Sequence, residues 1–120
     1  MAELRLQIDE PWFTYIEQKR KKIEGRKNNQ KYIDMVGQDV IIFNKNNEEL
    51  AIHVDNIIVY DNIEKYLKTE GLDKTLPGIK TIQEAKEIYL GFKNEKGESV
   101  FSDKKVEDAG GFIAIHFHLI

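Results

Sequence analysis

The chain has 120 residues, of which 41% are hydrophobic and 32% are charged, and its formal net charge is −3. This length is typical of one domain with its own core, so residues 1–120 are expected to form a single domain. The sequence has no cysteine, which excludes a disulfide framework and a thiolate metal site, and nothing in it indicates a cofactor.

The N-terminal residues and the apolar runs bear on location. Charged residues interrupt residues 1–10, so this segment lacks the pattern of a signal peptide. The longest apolar runs are far shorter than a membrane span. We therefore expect no membrane association and a cytoplasmic location, with a nuclear location as the alternative.

Basic charge is concentrated in residues 17–31. This segment holds seven Lys or Arg against two Glu, a net charge of +5, whereas the rest of the chain carries −8. A localised basic segment can attract an anionic ligand to one place, although it is also typical of a solvated loop. The acidic remainder argues against a protein that coats duplex nucleic acid, because that function needs a broad basic face.

The first part of the chain predicts a strand, a helix and a second strand. Apolar and polar residues alternate over residues 3–8, which is typical of a half-buried strand. Asp9 is expected to cap a helix over about residues 10–20. Residues 21–26 have the pattern of an extended segment, with Gly25 as a candidate bulge.

The next part predicts two strands and a helix. Residues 31–36 are ambiguous, but apolar runs predict strands over residues 37–43 and 50–60, joined by a polar hairpin loop. Asp61 begins a capping-box sequence, which predicts a helix over about residues 62–70.

The last part predicts a helix, an irregular segment and a final strand. Thr81 begins a second capping box, so a helix is expected over about residues 82–91. Residues 94–110 are polar and charged and are interpreted as a loop or a short strand. Residues 112–119 form the last strand, and one face of it is assigned to the core: Ile113, Ile115, Phe117 and Leu119.

The order of these elements predicts an α+β fold. Strands and helices do not alternate in a repeating strand–helix–strand pattern, which argues against a doubly wound parallel sheet. Several short strands with the helices set apart favour a small mixed β-barrel flanked by two to three short helices.

Two short sequences narrow this choice. The sequence EPWF at residues 10–13 is followed by KKIEGR at residues 21–26. This arrangement resembles the signature of ASCH domains, in which a helix leads into a strand with the pattern G-x-K-T-x-E-x-R. The lysine, glutamate and arginine of that pattern fall on Lys21, Glu24 and Arg26.

The chain departs from the pattern at two positions, where Lys19 and Lys22 replace the glycine and the threonine. Residues 66–78 and 111–115 resemble the middle segment and the last strand of the family, so the resemblance covers nearly the whole chain. It implies a single ASCH domain with a PUA-like β-barrel. It also implies a cleft at the junction of the first helix and the second strand, and RNA binding as the usual function.

Charged residues near that junction are candidates for binding. If residues 21–26 form a strand, Lys22, Glu24 and Arg26 point to one face and Lys21 to the other. Arginine fits a phosphate or a base edge with two hydrogen bonds, a carboxylate accepts from an exocyclic amine, and lysine attracts phosphate. Together they can hold one nucleotide. The alternative is an ion pair that only braces the barrel.

Two aromatic residues, Trp12 and Tyr15, lie just before this segment. Aromatic side chains stack on unpaired bases with about 1–3 kcal/mol for each base, whereas a core position is the alternative for Trp12. The expected partner is single-stranded RNA or a nucleotide-like small molecule. The predicted binding residues are Trp12, Tyr15, Lys21, Lys22, Glu24 and Arg26.

Other functions remain open at this point. Some ASCH relatives are amidohydrolases on acetylated cytidine or are reported to be ribonucleases, which implies a hydrolase using Lys21 and Glu24. The threonine that amidohydrolases place three residues after the lysine is replaced here by Glu24. A domain that binds a protein partner is the third interpretation. His116 and His118 share a strand face, but no third ligand has a suitable spacing, so no metal site is predicted.

Overall fold

The computed structural model describes residues 3–120, and its strands form one curled sheet with the shape of half a barrel. The five strands in this part of the chain are Arg5–Gln7 (β1), Ile23–Lys27 (β2), Asp39–Phe43 (β3), Glu49–Tyr60 (β4) and Phe112–Leu119 (β5). Their order is β1–β3–β4–β5–β2. β1 and β3 are parallel, and the other neighbours are antiparallel. The predicted α+β fold with a small mixed barrel is confirmed.

Residues 3–120 contain six short helices rather than the two or three expected. They are Trp12–Glu17 (α1), Gln30–Ile33 (α2), Ile63–Glu70 (α3), Leu72–Thr75 (α4), Ile82–Leu90 (α5) and Asp103–Asp108 (α6). Within the same residues, no helix is long and apolar enough to cross a membrane.

Helix α1 is shorter than predicted. Its N-cap residue is Pro11, so the predicted Asp9 cap is wrong. The Glu10 carboxylate instead accepts hydrogen bonds from the backbone nitrogen and the hydroxyl of Thr14, at 2.9 and 2.8 Å. The helix ends before Lys19, whose φ of 63° turns the chain toward β2.

Helices α3 and α5 lie where they were predicted. Thr81 caps α5, because its hydroxyl accepts a hydrogen bond from the backbone nitrogen of Glu84 at 3.1 Å. The cap of α3 is Asn62 rather than Asp61. The Asn62 side chain accepts from the backbone nitrogen of Lys65 at 2.8 Å, while the Asp61 carboxylate pairs with the Lys65 ammonium.

Helix α6 lies within residues 94–110, which were predicted to be a loop or a short strand. The Ser102 hydroxyl caps the helix by accepting from the backbone nitrogen of Lys105 at 3.3 Å. Val106 is the residue that α6 buries. A six-residue helix with one buried side chain has no hydrophobic periodicity, so the sequence pattern did not reveal it.

The core lies on both faces of β5. Ile113, Ile115 and Phe117 are buried inside the barrel, as predicted. Phe112 and Ala114, on the opposite face, are also fully buried, because side chains of α3, α5 and α6 pack over them. This second cluster attaches the helices to the outer face of the sheet.

Gly25 has a packing role rather than a place in a bulge. It lies in a regular ladder with β5, and the register shift of the sheet is in β4, between Val54 and Asn56. A Cβ atom at Gly25 would lie 2.6 Å from a ring carbon of Phe112 and 2.7 Å from the Tyr66 hydroxyl. The glycine therefore lets two aromatic side chains contact the backbone of β2.

Candidate nucleotide-binding site

A cavity of about 350 Å³ lies beside β2, between the start of α1 and the segment that follows α5. Four of the predicted binding residues line it: Trp12, Lys21, Glu24 and Arg26. The further lining residues are Gln7, Ile8, Asp9, Gly25, Lys45, Leu76, Tyr89, Phe92, Lys93, Val100 and Phe101. The cavity thus combines charged groups with an aromatic and apolar wall.

Lys21, Glu24 and Arg26 form a buried ion triad. The Lys21 ammonium lies 3.4 Å from Oε1 of Glu24, and Nε and Nη2 of Arg26 lie 3.0 and 2.8 Å from Oε2. The exposed fractions of the three side chains are 1%, 12% and 21%. A single carboxylate therefore neutralises part of the charge of two cations in a site with little solvent.

The position of Lys21 differs from the predicted one. Strand alternation placed Lys21 and Glu24 on opposite faces, but Lys21 precedes β2, so the alternation does not apply to it. Its ammonium donates to the carbonyl oxygen of Ile23 at 2.7 Å and to that of Thr75 at the end of α4. These hydrogen bonds hold the lysine against the carboxylate.

Burial and ion pairing act in opposite directions on the triad. Burial lowers the pKa of the Lys21 ammonium, and the neighbouring carboxylate offsets only part of this effect. Burial alone would raise the pKa of Glu24, but the charges of Arg26 and Lys21 outweigh it, so its pKa lies below the ordinary value. Glu24 is therefore ionised at neutral pH and is a weak base.

We expect Glu24 to account for part of the acid sensitivity of the fold. Because its pKa is lower in the folded chain, its ion pairs stabilise the fold above the ordinary glutamate pKa, and this contribution is lost as the pH falls through the folded-state pKa. Urea unfolding at several acidic pH values should give a shallower pH dependence for Glu24→Gln than for the wild type. Glu64→Gln, which breaks the exposed pair with Lys68, should stay closer to the wild type. Equal slopes for the wild type and Glu24→Gln would contradict the expectation.

Arg26 connects the two edge strands of the sheet. Its Nη2 donates to the carbonyl oxygen of Gln7 in β1 as well as to Glu24 in β2. Burial alone would lower the pKa of Arg26, but Glu24 and then Tyr32 raise it above the ordinary value, so the guanidinium stays charged. A guanidinium has five N–H groups, and the hydrogen bonds to Glu24 and Gln7 use those of Nε and Nη2. The Nη1 group is left for Tyr32 or a ligand.

The aromatic residues near α1 have different positions. Trp12 is partly buried, lines the cavity and packs against both core clusters. Tyr15 meets Trp12 edge to face at 5.8 Å between ring centroids and carries the Arg20 guanidinium 4.2 Å above its ring. Among residues 3–120, the cavity lining includes neither Tyr15 nor the exposed Lys22.

Part of the cavity wall was missed in the sequence. Phe92, Lys93, Val100 and Phe101 come from the segment after α5, most of which was interpreted as a loop or a short strand. In the structure a bridge between Lys93 and Ser99 folds this segment back, so that the two phenylalanines pack together with 6.0 Å between centroids. Phe92 and Phe101, which flank a polar turn in the sequence, are the pattern that could have predicted this fold-back.

Comparison with known proteins identifies the family of this chain. The sequence matches the ASCH domain family over residues 6–120, which is nearly the whole chain. The chain belongs to the ASCH domain family. This places it in the PUA-like superfamily, and the membership is consistent with a general RNA-binding module, since ASCH domains are generally associated with nucleic acid.

Solved structures show the same ASCH fold. The crystal structure of the hypothetical protein PH0355 aligns over 99% of this chain and 100% of its own, with a TM-score of 0.76 and 28% sequence identity. The solution structure of protein PF0455 from Pyrococcus furiosus aligns over 99% and 98%, with a TM-score of 0.70 and 28% identity. The search of curated proteins returned no match.

The histidines of this ASCH domain pair with carboxylates. His53 contacts Asp39 at 2.8 Å, and His118 contacts Asp55 at 2.9 Å. His116 lies 3.0 Å from Glu70 and pairs in the sheet with Ile23 of β2. Within the part of the chain that the structure describes, no group of three or more His, Cys, Asp or Glu could hold a metal ion.

Proposed function

We propose that this ASCH domain is a single-stranded RNA-binding module that holds one unpaired nucleoside in the cavity beside β2. The observation that carries the proposal is the Glu24–Arg26 pair facing an aromatic and apolar wall in one cavity. A volume of about 350 Å³ suits a nucleoside, since small-molecule sites range from about 300 to 1,000 Å³. Membership of the ASCH family supports nucleic acid as the source of that nucleoside.

The free hydrogen-bonding groups favour certain bases. A carboxylate offers about four acceptor positions, and Lys21 and Arg26 occupy three of those of Glu24. One acceptor on Glu24 therefore remains, together with the N–H of Arg26 Nη1 that Tyr32 does not use. Cytosine and adenine each present an amino donor beside a ring acceptor, which complements this pair, whereas uracil lacks the amine. We expect cytidine and adenosine to bind more tightly than uridine.

The test uses the fluorescence of Trp12, which is the only tryptophan of the 120 residues and lines the cavity. Cytidine and adenosine should change its emission at lower concentrations than uridine. A labelled single-stranded oligoribonucleotide should bind with an affinity that falls steeply between about 50 and 200 mM salt. Arg26→Lys, which keeps the charge but loses the planar fork, should weaken binding of both probes by roughly tenfold.

Arg5→Lys is the matched control. Arg5 makes exposed ion pairs with Glu3 and Glu49 and lies outside the cavity lining, so this variant should bind as the wild type does. Circular dichroism of both variants checks that they are folded. Equal affinities of Arg26→Lys and Arg5→Lys, or binding that salt does not affect, would overturn the proposal. Capture of a protein without any nucleic-acid binding would favour an interaction domain instead.

A hydrolase of acylated nucleosides or RNA is the second candidate, with Lys21 and Glu24 as its catalytic residues. One observation favours the hydrolase: burial lowers the pKa of the Lys21 ammonium, and a lysine that loses its proton near neutrality can act as a base. Against it, the three N–H groups of the ammonium face the carbonyl oxygens of Ile23 and Thr75 and the Glu24 carboxylate. We expect no acetate release from N4-acetylcytidine and no RNA cleavage. Turnover that Lys21→Met abolishes would establish catalysis.

A further inference from the structure

A second cavity, of about 390 Å³, adjoins the first. The two share the side chains of Arg26, Val100 and Phe101 in their walls. The second cavity extends past the end of β2 to α2, where Lys27, Lys31 and other polar residues line it. The two cavities are therefore neighbours that meet at these three side chains.

The two cavities differ in charge. Four cations and two carboxylates line the first, and the triad commits two of those cations to Glu24. Lys21 is 1% exposed with its donors occupied, so it is poorly placed to bind a phosphate. The described residues that line the second cavity include Arg26, Lys27 and Lys31 and no carboxylate. Positive charge thus also lines the second cavity, where no carboxylate of the described residues competes with a phosphate.

The groups in the second cavity suit a nucleotide backbone. Lys31 is exposed and Lys27 is partly exposed, so both ammonium groups can reach a phosphate without being desolvated first. Asn29 uses its side-chain oxygen to cap α2, which leaves its amide N–H groups to donate. Tyr32 interacts with Arg26 and is partly exposed, so it borders both the shared arginine and solvent.

We infer that the second cavity binds the phosphate and the neighbouring nucleotide of the same RNA strand. The ligand of this domain is then an oligonucleotide at least two residues long rather than a free nucleoside. This inference rests on the proposed function, because the first nucleoside must occupy the cavity beside β2. Arg26 lies at the junction, where it faces the base together with Glu24, while Lys27 and Lys31 face the backbone.

The test compares two double variants that remove the same charge from the same basic segment. Lys27→Gln/Lys31→Gln removes the two lysines of the second cavity. Lys19→Gln/Arg20→Gln removes two exposed cations that line neither cavity. The probes are a labelled single-stranded oligoribonucleotide and free cytidine, the latter followed by the fluorescence of Trp12.

Lys27→Gln/Lys31→Gln should weaken oligoribonucleotide binding on the order of tenfold. It should also lower the slope of log K against log salt by about 0.7 for each phosphate that the variant no longer neutralises. Its affinity for cytidine should be unchanged, and the control should bind both probes nearly as the wild type does. Equal losses in the two double variants would overturn the inference, while a defect in Arg26→Lys would still support the nucleoside site. Absence of oligoribonucleotide binding by the wild type would overturn the RNA proposal and this inference together.

Discussion

Replacing Glu24 by alanine should lower the free energy of unfolding by about 3–5 kcal/mol. The reason is the partner it leaves behind: the Lys21 ammonium is 1% exposed and would remain buried without its carboxylate. Arg26 would lose the same partner but can turn toward solvent, since 21% of its side chain is exposed. Urea denaturation followed by circular dichroism measures the loss.

A double variant distinguishes the contribution of the ion pair to stability from the contribution of the packing around it. Lys21→Met with Glu24→Leu replaces the buried charges by apolar side chains of similar size, which is often neutral for stability. We therefore expect it to recover most of the stability that Glu24→Ala loses. A loss below about 1 kcal/mol in Glu24→Ala would instead show that the triad behaves as a solvated surface pair.

Gly111→Ala is expected to have an effect of similar size, roughly 3–5 kcal/mol of lost stability. Gly111 has a φ of 122°, which residues with a side chain rarely adopt, and a Cβ atom there would lie 2.4 Å from the carbonyl oxygen of Tyr60. Neither the strain nor the overlap can be relieved by a side-chain rotation, because the neighbour is backbone. Thermal or urea unfolding tests this value.

Gly110→Ala is the matched control for Gly111→Ala. Gly110 has a φ of 86°, but the nearest atom to its added Cβ is the side-chain amide of Asn28 at 3.5 Å. Gly110→Ala should therefore lower the free energy of unfolding only by the cost of a left-handed backbone conformation, about 1–2 kcal/mol. If both variants lost the same stability, the close approach of the start of β5 to the end of β4 would not be the limiting contact.

Local patterns predicted most of the fold. Strands such as 50–60 and 112–119 have alternating or continuous apolar residues, and the capping box at Thr81 located α5 to within a residue. Patterns failed where structure depends on a single contact. Val106 is the buried residue that anchors helix α6. The cap of α3 is Asn62 rather than Asp61 because Asn62 is the residue with the extended backbone that precedes the helix.

The candidate site was predictable only in part for the same reason. The motif that includes Glu24 and Arg26 placed both on one face of a strand, and the structure agrees. The approach of Lys21 to the carboxylate depends on the carbonyl oxygen of Thr75, which is distant in sequence. No local periodicity encodes such an approach. The wall from residues 92–101 likewise exists only because that segment folds back on itself.

The link between Arg26 and the Gln7 carbonyl means that the seam of the half-barrel is fastened by a side chain. Backbone hydrogen-bond ladders join the adjacent strands within the sheet, namely β1 with β3, β3 with β4, β4 with β5 and β5 with β2. A ligand that draws the guanidinium toward itself competes with β1 for it. Occupancy of the site and the tightness of the seam are then thermodynamically linked, so each changes the other by the same free energy. Under the proposed function, β1 would in this way take part in the binding equilibrium, although of its residues only Gln7 lines the cavity.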